Sequence, residues 1–193
     1  MKTEKKRKTA FPAFLILISS FLLCTCASLA AEKQPFTYLT DRAKFVLLPH
    51  TAIENPMDTS QFISASYGGQ NYHFYAWVRA DETGMDMSIF NELGASMGEL
   101  SYKDSVINFS SRVLPEFLKP EYIVADFQLC YYDPVLLAQA LKKCGLALEL
   151  KGSARRIFNG KNLIIEIERT NNAVRLVNHL RGYTYAMELS GSL

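Results

Sequence analysis

From residue 61 onward, apolar and polar positions alternate in short runs, the period-two pattern of half-buried strands. Residues 61–67 and 72–80 flank Gly68-Gly69-Gln70-Asn71, which predicts a hairpin. Residues 85–89 keep the alternation after a turn at Asp81-Glu82-Thr83-Gly84, and residues 98–102 and 106–110 flank Lys103-Asp104. The period then becomes helical, predicting two short helices over 120–131 and 134–143. The second has Asp133 at the cap position, Pro134 at its first residue, Lys142-Lys143 in its last turn and Gly145 just beyond. Strands resume over 146–151, 154–158, 161–168, 174–180 and 183–189, with turns at Asn159-Gly160, Asn171-Asn172 and Arg181-Gly182.

About ten antiparallel strands interrupted once by a helical pair predict a single strongly curved sheet, a sandwich or a barrel. The concave face of such a sheet must be filled by its own side chains, covered by an inserted element, or left as a cavity for an apolar ligand. Ile123, Phe127, Leu137 and Leu141 fall at helical spacing, so they suit either a lid or plain core packing against the sheet. The stretch 26–60, with Pro35, Pro49 and Pro56, is less regular; it supplies an anchor or linker and the first elements of the one domain formed with 61–193.

Charge separates the N-terminus from the rest. Lys2, Lys5, Lys6, Arg7 and Lys8 precede an apolar run from Ala10 to about Leu23 and then small residues, the layout of a cleaved secretory signal over residues 1–25. Beyond residue 25 there remain 16 basic side chains against 18 acidic ones, and no long basic cluster, which excludes nucleic acid as a partner. Leu23-Cys24-Thr25-Cys26 resembles a bacterial lipobox that would lipidate Cys26, although Thr25 is bulkier than the usual small residue; Ser28-Leu29-Ala30 reads equally as a simple cleavage site. Cys130 and Cys144 are the other two cysteines, and the helical segment between them favours free thiols over a disulfide.

No catalytic constellation is visible. There is no nucleophile elbow, phosphate-cradling glycine loop or His-Glu-x-x-His, and His50, His73 and His179 are scattered. Glu166 and Glu168 share one strand face opposite Leu163, Ile165 and Ile167, as on a solvated outer face. The residues suggest no enzyme, metal or cofactor. Aromatic and flexible apolar residues stand out instead, with ten Tyr, twelve Phe and one Trp in the chain, and with Met85, Met87 and Ile89 along one strand face.

Several segments carry a resemblance. They are Ala125-Asp126-Phe127-Gln128-Leu129, Asp133-Pro134-x-x-Leu137-x-x-x-Leu141, Ala154-Arg155-Arg156-Ile157-Phe158-Asn159-Gly160-Lys161, Ile164-Ile165-Glu166-Ile167 and Val177-Asn178-His179-x-x-x-Gly182-Tyr183. Gly84-Met85-x-Met87-x-Ile89 and Leu93-Gly94-x-x-Met97-x-x-Leu100-x-Tyr102 fit the same pattern. Together they resemble a family of bacterial outer-membrane lipoproteins often encoded beside aryl polyene biosynthesis genes. That family is similar to the Lol-type lipoprotein carriers, particularly the outer-membrane acceptor. Tyr131-Tyr132 departs from it where members tend to carry Trp before the Asp-Pro.

The resemblance implies a mainly β (α+β) fold, an incompletely closed antiparallel barrel of about ten strands with the two short helices as a lid, and it favours lipidation of Cys26. It implies a monomer held on the periplasmic side of the outer membrane by a lipid anchor, or a soluble periplasmic protein if Cys26 is not lipidated. The expected cargo is a hydrophobic small molecule, a lipid, a lipoprotein acyl chain or an aryl polyene lipid, with a periplasmic carrier protein as a partner. Phe74, Val78, Met87, Ile89, Tyr102, Ile165, Ile167 and Tyr185 are the candidate cavity residues. The competing expectation is a scaffolding lipoprotein whose concave face is filled by its own side chains, with an envelope hydrolase as a more distant one.

Overall fold

The computed structural model describes residues 34–111, 113 and 119–190. Residues 1–25, expected to form a secretory signal, and Cys26 lie outside the described residues. A small two-stranded sheet pairs β1 (Phe36–Tyr38) with β2 (Lys44–Val46), and a single 3-10 turn follows at His50–Ala52. Ten further strands form one antiparallel sheet. They are β3 (Met57–Tyr67), β4 (Gln70–Asp81), β5 (Gly84–Phe90), β6 (Ser96–Lys103), β7 (Val106–Ser111), β8 (Ala147–Lys151), β9 (Ala154–Asn159), β10 (Asn162–Arg169), β11 (Ala173–Asn178) and β12 (Tyr183–Ser190). Between β7 and β8 lie α1 (Pro120–Tyr131) and α2 (Pro134–Lys143).

The strand order is β7-β6-β5-β4-β3-β12-β11-β10-β9-β8. Its two free edges, β7 and β8, are consecutive strands in the chain, and both helices lie in the connection between them. The barrel is therefore open along one seam, and the helices cross the concave side. In the middle of the sheet β12 pairs with β3 over eight residues, Tyr183 opposite Tyr67 through Ser190 opposite Ser60, joining the C-terminal half to the N-terminal half.

Local chemistry accounts for the elements. The β3–β4 hairpin turns on Gly68 and Gly69 alone, with φ of 58° and 78°; two successive positive φ values match the right-handed strand twist and favour glycine. Gln70 and Asn71 consequently belong to the paired strand rather than to the turn. The β6–β7 turn reaches the same geometry with Asp104 and Ser105, at φ of 49° and 63°, a tighter fit for side chains bearing a Cβ. Strand β11 ends at Asn178, so His179 and Leu180 lie in the turn. The Asn178 side-chain oxygen accepts a bond there from the Arg181 backbone N–H (2.9 Å). At the start of α2 the Asp133 carboxylate accepts from the backbone N–H groups of Val135 and Leu136, both at 2.9 Å, which satisfies two otherwise unpaired donors.

Alternation sorts each strand into two faces. Ala76, Val78 and Ala80 of β4, Met85, Met87 and Ile89 of β5, Leu100 and Tyr102 of β6, Ile165 and Ile167 of β10, and Val174 and Leu176 of β11 are buried in one continuous core. From the helices come Val124, Phe127, Leu129, Leu137 and Leu141, and from the N-terminal segment Leu39, Phe45 and Leu47. Cys130 and Cys144 are free thiols, and burial pushes the Cys130 thiol up in pKa.

Two polar clusters fix the helices. Fully buried Gln128 accepts a hydrogen bond from the Leu48 N–H (2.9 Å) and donates one to the Leu48 carbonyl (2.8 Å), pairing the N-terminal segment to α1 as a strand would. The Tyr102 hydroxyl donates to the same carbonyl at 2.8 Å. At the same C-terminal end of α1, the guanidinium of buried Arg155 donates to the carbonyls of Leu129 (3.1 Å) and Tyr132 (2.7 Å) and to the Glu54 carboxylate (2.8 Å). Arg169 reaches the same Glu54 oxygen at 2.6 Å. A cation at a helix C-terminus is favourable in itself, and here it also ties α1, β9 and the segment before β3 together.

Candidate functional site

The concave face divides along its length. The half under α1 and α2 is sealed. Val78, Tyr102, Ile165 and Ile167 have no exposed surface, and Met87 and Ile89 are only 8% and 4% exposed. Those six candidate cavity residues do face the barrel interior, but they are packed in one core with the helices and the N-terminal segment. Of the helix positions, Leu137 and Leu141 are completely buried and Phe127 nearly so, while Ile123 is half-buried against the same core.

The other two candidates, Phe74 and Tyr185, sit where cover runs out. Register carries the inner face onward from the sealed rows. Met187, Ile63 and Phe74 lie opposite one another, then Tyr185, Ala65 and Tyr72, then Tyr183, Tyr67 and Gln70. Exposure rises along this path: Ile63 is buried, Phe74, Met187, Tyr183 and Tyr185 are half-buried, and Tyr72 and Tyr67 are 46% and 53% exposed. The result is an aromatic mouth at the β3–β4 hairpin end, continuous at its base with the core. The rings of Tyr183 and Tyr185 contact each other with centroids 5.1 Å apart.

The inner wall of the mouth meets α1 through polar groups. The Tyr183 hydroxyl donates to the Asp126 carboxylate, 2.9 Å from both oxygens. Burial pushes Asp126 up to about 7, opposed by this hydrogen bond and by the Arg181 charge. Arg181 bonds the Tyr38 carbonyl and the Tyr122 hydroxyl (3.3 Å), with its guanidinium over the Tyr122 ring. Further in, the Tyr131 hydroxyl accepts from Gln61 at 3.2 Å. One helix face thus rests on β12 and β3 through a small number of polar contacts.

Tyr67, Tyr72 and Tyr183 were not among the sequence candidates. Alternation places them on the inner face, but only the path of α1 decides that this part stays uncovered. The scattered histidines stay apart. His50 is buried and accepts from the Asp104 N–H (3.3 Å), His73 contacts Ser64 (3.2 Å) on the outer face, and His179 lies 4.0 Å from Glu166. Glu166 is paired with Arg156 at 2.8 Å. Among the described residues there is no group of three metal-ligating side chains.

Residues 58–190 match a family described as a protein of unknown function (DUF3261). The chain belongs to that family. The DUF3261 match begins one residue into β3 and ends with β12, so it covers the whole ten-stranded sheet and both helices, and leaves out the β1–β2 segment. No curated protein matches the chain. No helix among the described residues is long and apolar enough to cross a membrane.

Proposed function

We propose that this DUF3261 protein is a non-enzymatic envelope carrier or acceptor that holds a hydrophobic chain, a lipid or lipoprotein acyl group, at the aromatic mouth of its open barrel. The observation that carries the reading is the continuity of Tyr67, Tyr72, Phe74 and Tyr185 with the apolar core. A chain entering there meets rings first and aliphatic side chains beneath. Each methylene it buries contributes about 0.8 kcal/mol, so a partly inserted acyl chain is held without charged contacts. Deeper insertion requires α1 to lift from β12 and β3, where it is held at Tyr183–Asp126 and Gln61–Tyr131. Lipidation of Cys26 would tether the protein to a membrane, and a periplasmic carrier protein would be its donor.

The test is titration of the purified protein with cis-parinaric acid, a conjugated fatty acid whose emission rises on leaving water. The expected result is saturable emission that is lost in Phe74→Glu and Tyr185→Glu while the far-UV spectrum is kept. No saturable emission, or equal emission in both variants, would overturn the reading.

A second reading is a scaffold with a self-filled barrel. The complete burial of Val78, Tyr102, Ile165, Ile167 and Leu176 favours it. It predicts no response to the probe in wild type.

A further inference from the structure

Register assembles a different surface on the outside of the barrel. Ser60, Trp77, Ser88, Glu99 and Ser110 lie opposite one another across β3 to β7. The adjacent row holds Asp58, Arg79, Asp86, Ser101 and Asn108. Serine is too short to fill the space above a sheet, so where Ser88, Ser101 and Ser110 surround Glu99 the backbone lies at the bottom of a trough. An open depression of about 600 Å³ occupies this place, lined by the outward-facing Asp86, Ser88, Glu99, Ser101, Asn108 and Ser110 and by the intervening Met87, Leu100, Ile107 and Phe109 of the same strands. Ligand sites span roughly 300–1,000 Å³.

An aromatic ledge borders the trough. Trp77 stands directly across from Ser88, and in the next row Phe62, Tyr75 and Phe90 are mutual strand partners. Phe62 and Tyr75 contact with ring centroids 5.1 Å apart, and Phe62 stacks parallel to His73 at 5.9 Å. The Trp77 indole N–H donates to Asp58 at 2.8 Å, which fixes the ring. Arg79 is taken up by Asp86 at 2.9 Å, and Asn108 donates to Ser101 at 3.3 Å. Glu99 is exposed and has no hydrogen-bond or ion-pair partner among the described residues.

This combination selects a chemistry. Hydroxyls and an amide both donate and accept, a free carboxylate accepts, and a fixed aromatic plane covers flat C–H surface. A pyranose presents both kinds of surface. Asp86 and Glu99 disfavour an anionic ligand, and the polar character of the outward-facing side chains disfavours an acyl chain. We infer that the trough and its ledge bind a neutral oligosaccharide, with a sugar ring against Trp77 and hydroxyls on Glu99, Asn108 and the serines. The site lies on the opposite face of the sheet from the mouth, so a protein that carries lipid within the barrel could hold a glycan outside it.

Trp77 is the single tryptophan of the chain, so its emission reports on this surface without labelling. The experiment titrates the purified protein with tetra-N-acetylchitotetraose and, in a second arm, with cellotetraose. The expected result is a saturable change in Trp77 emission with at least one of the two, weakened about tenfold in Glu99→Gln, as loss of a charge-assisted hydrogen bond requires. Ser110→Arg, an exposed position on an edge strand, fills the trough and abolishes the change. Phe74→Glu leaves it intact, which separates failure of this inference from failure of the carrier reading. No change with either sugar at millimolar concentration, or equal binding by Glu99→Gln and Ser110→Arg, would overturn the inference.

Discussion

The two halves of the concave face share strands and alternation, yet one is closed and the other open. In the closed half, covered by the helices and the N-terminal segment, β4, β5, β10 and β11 contribute aliphatic residues, Val78, Ile89, Ile165 and Leu176, each almost or wholly buried. Toward the β3–β4 hairpin, the inner positions of β3, β4 and β12 become tyrosines and a phenylalanine with rising exposure. Tyrosine tolerates water at its hydroxyl and apolar contact at its ring, so it suits a boundary that is alternately covered and bare. Burial in the one half serves stability. Partial burial in the other leaves surface for a ligand.

Substitutions should therefore separate stability from binding. The largest expected effect is in the sealed half, where Leu176→Ala removes a completely buried side chain and should cost about 2–5 kcal/mol in urea denaturation. Tyr72→Ser at the mouth should stay within about 0.5 kcal/mol while weakening parinaric acid binding. If Leu176→Ala were neutral, the sealed half would not be the packed core described above. Arg155→Met should cost about 3 kcal/mol by leaving the Leu129 and Tyr132 carbonyls and Glu54 without their donor, again read by denaturation.

The mouth has its own titration. The folded-state pKa of Asp126 is raised to about 7, so the folded protein binds this proton more tightly than the unfolded chain does. Its contribution is fully present below the ordinary carboxylate pKa and is lost as pH rises through about 7. Between pH 4 and 7 the stability of α1 on β12 should fall by a few kcal/mol, at about 1.4 kcal/mol for each pH step between the ordinary and the folded-state pKa. Hydrogen exchange of the β12 amides near Tyr183 would read this fall, and Asp126→Asn should flatten it. Asp133→Ala should cost about 1 kcal/mol from the loss of the α2 cap, seen as a lower denaturation midpoint with parinaric acid binding unchanged.

Much of the fold was legible because its signals are local. Asp133-Pro134 and the trailing Lys142-Lys143 mark α2 without reference to anything distant, and both helices begin and end where the periodicity predicts. The ten strands of the open sheet follow from alternation and turn residues. Strands β1 and β2 did not, because three residues each are too few to show a period. The braces were equally hidden. Arg155 sits in a run that reads as an ordinary half-buried strand, and its role depends on a helix end and on Glu54, which lies 101 residues away. The same limit applies to the mouth: Phe74 and Tyr185 were legible as inner-face residues, but which part of that face the helices leave bare is a tertiary property.

The most direct test of the carrier account is native mass spectrometry of the protein secreted to a bacterial periplasm and gently purified, with solvent extraction of bound material. The account predicts a stoichiometric acyl-bearing species in wild type that is absent from Phe74→Glu, with both proteins folded. A bare mass for wild type, together with a mouth that takes up no added lipid, would contradict it and leave the self-filled scaffold.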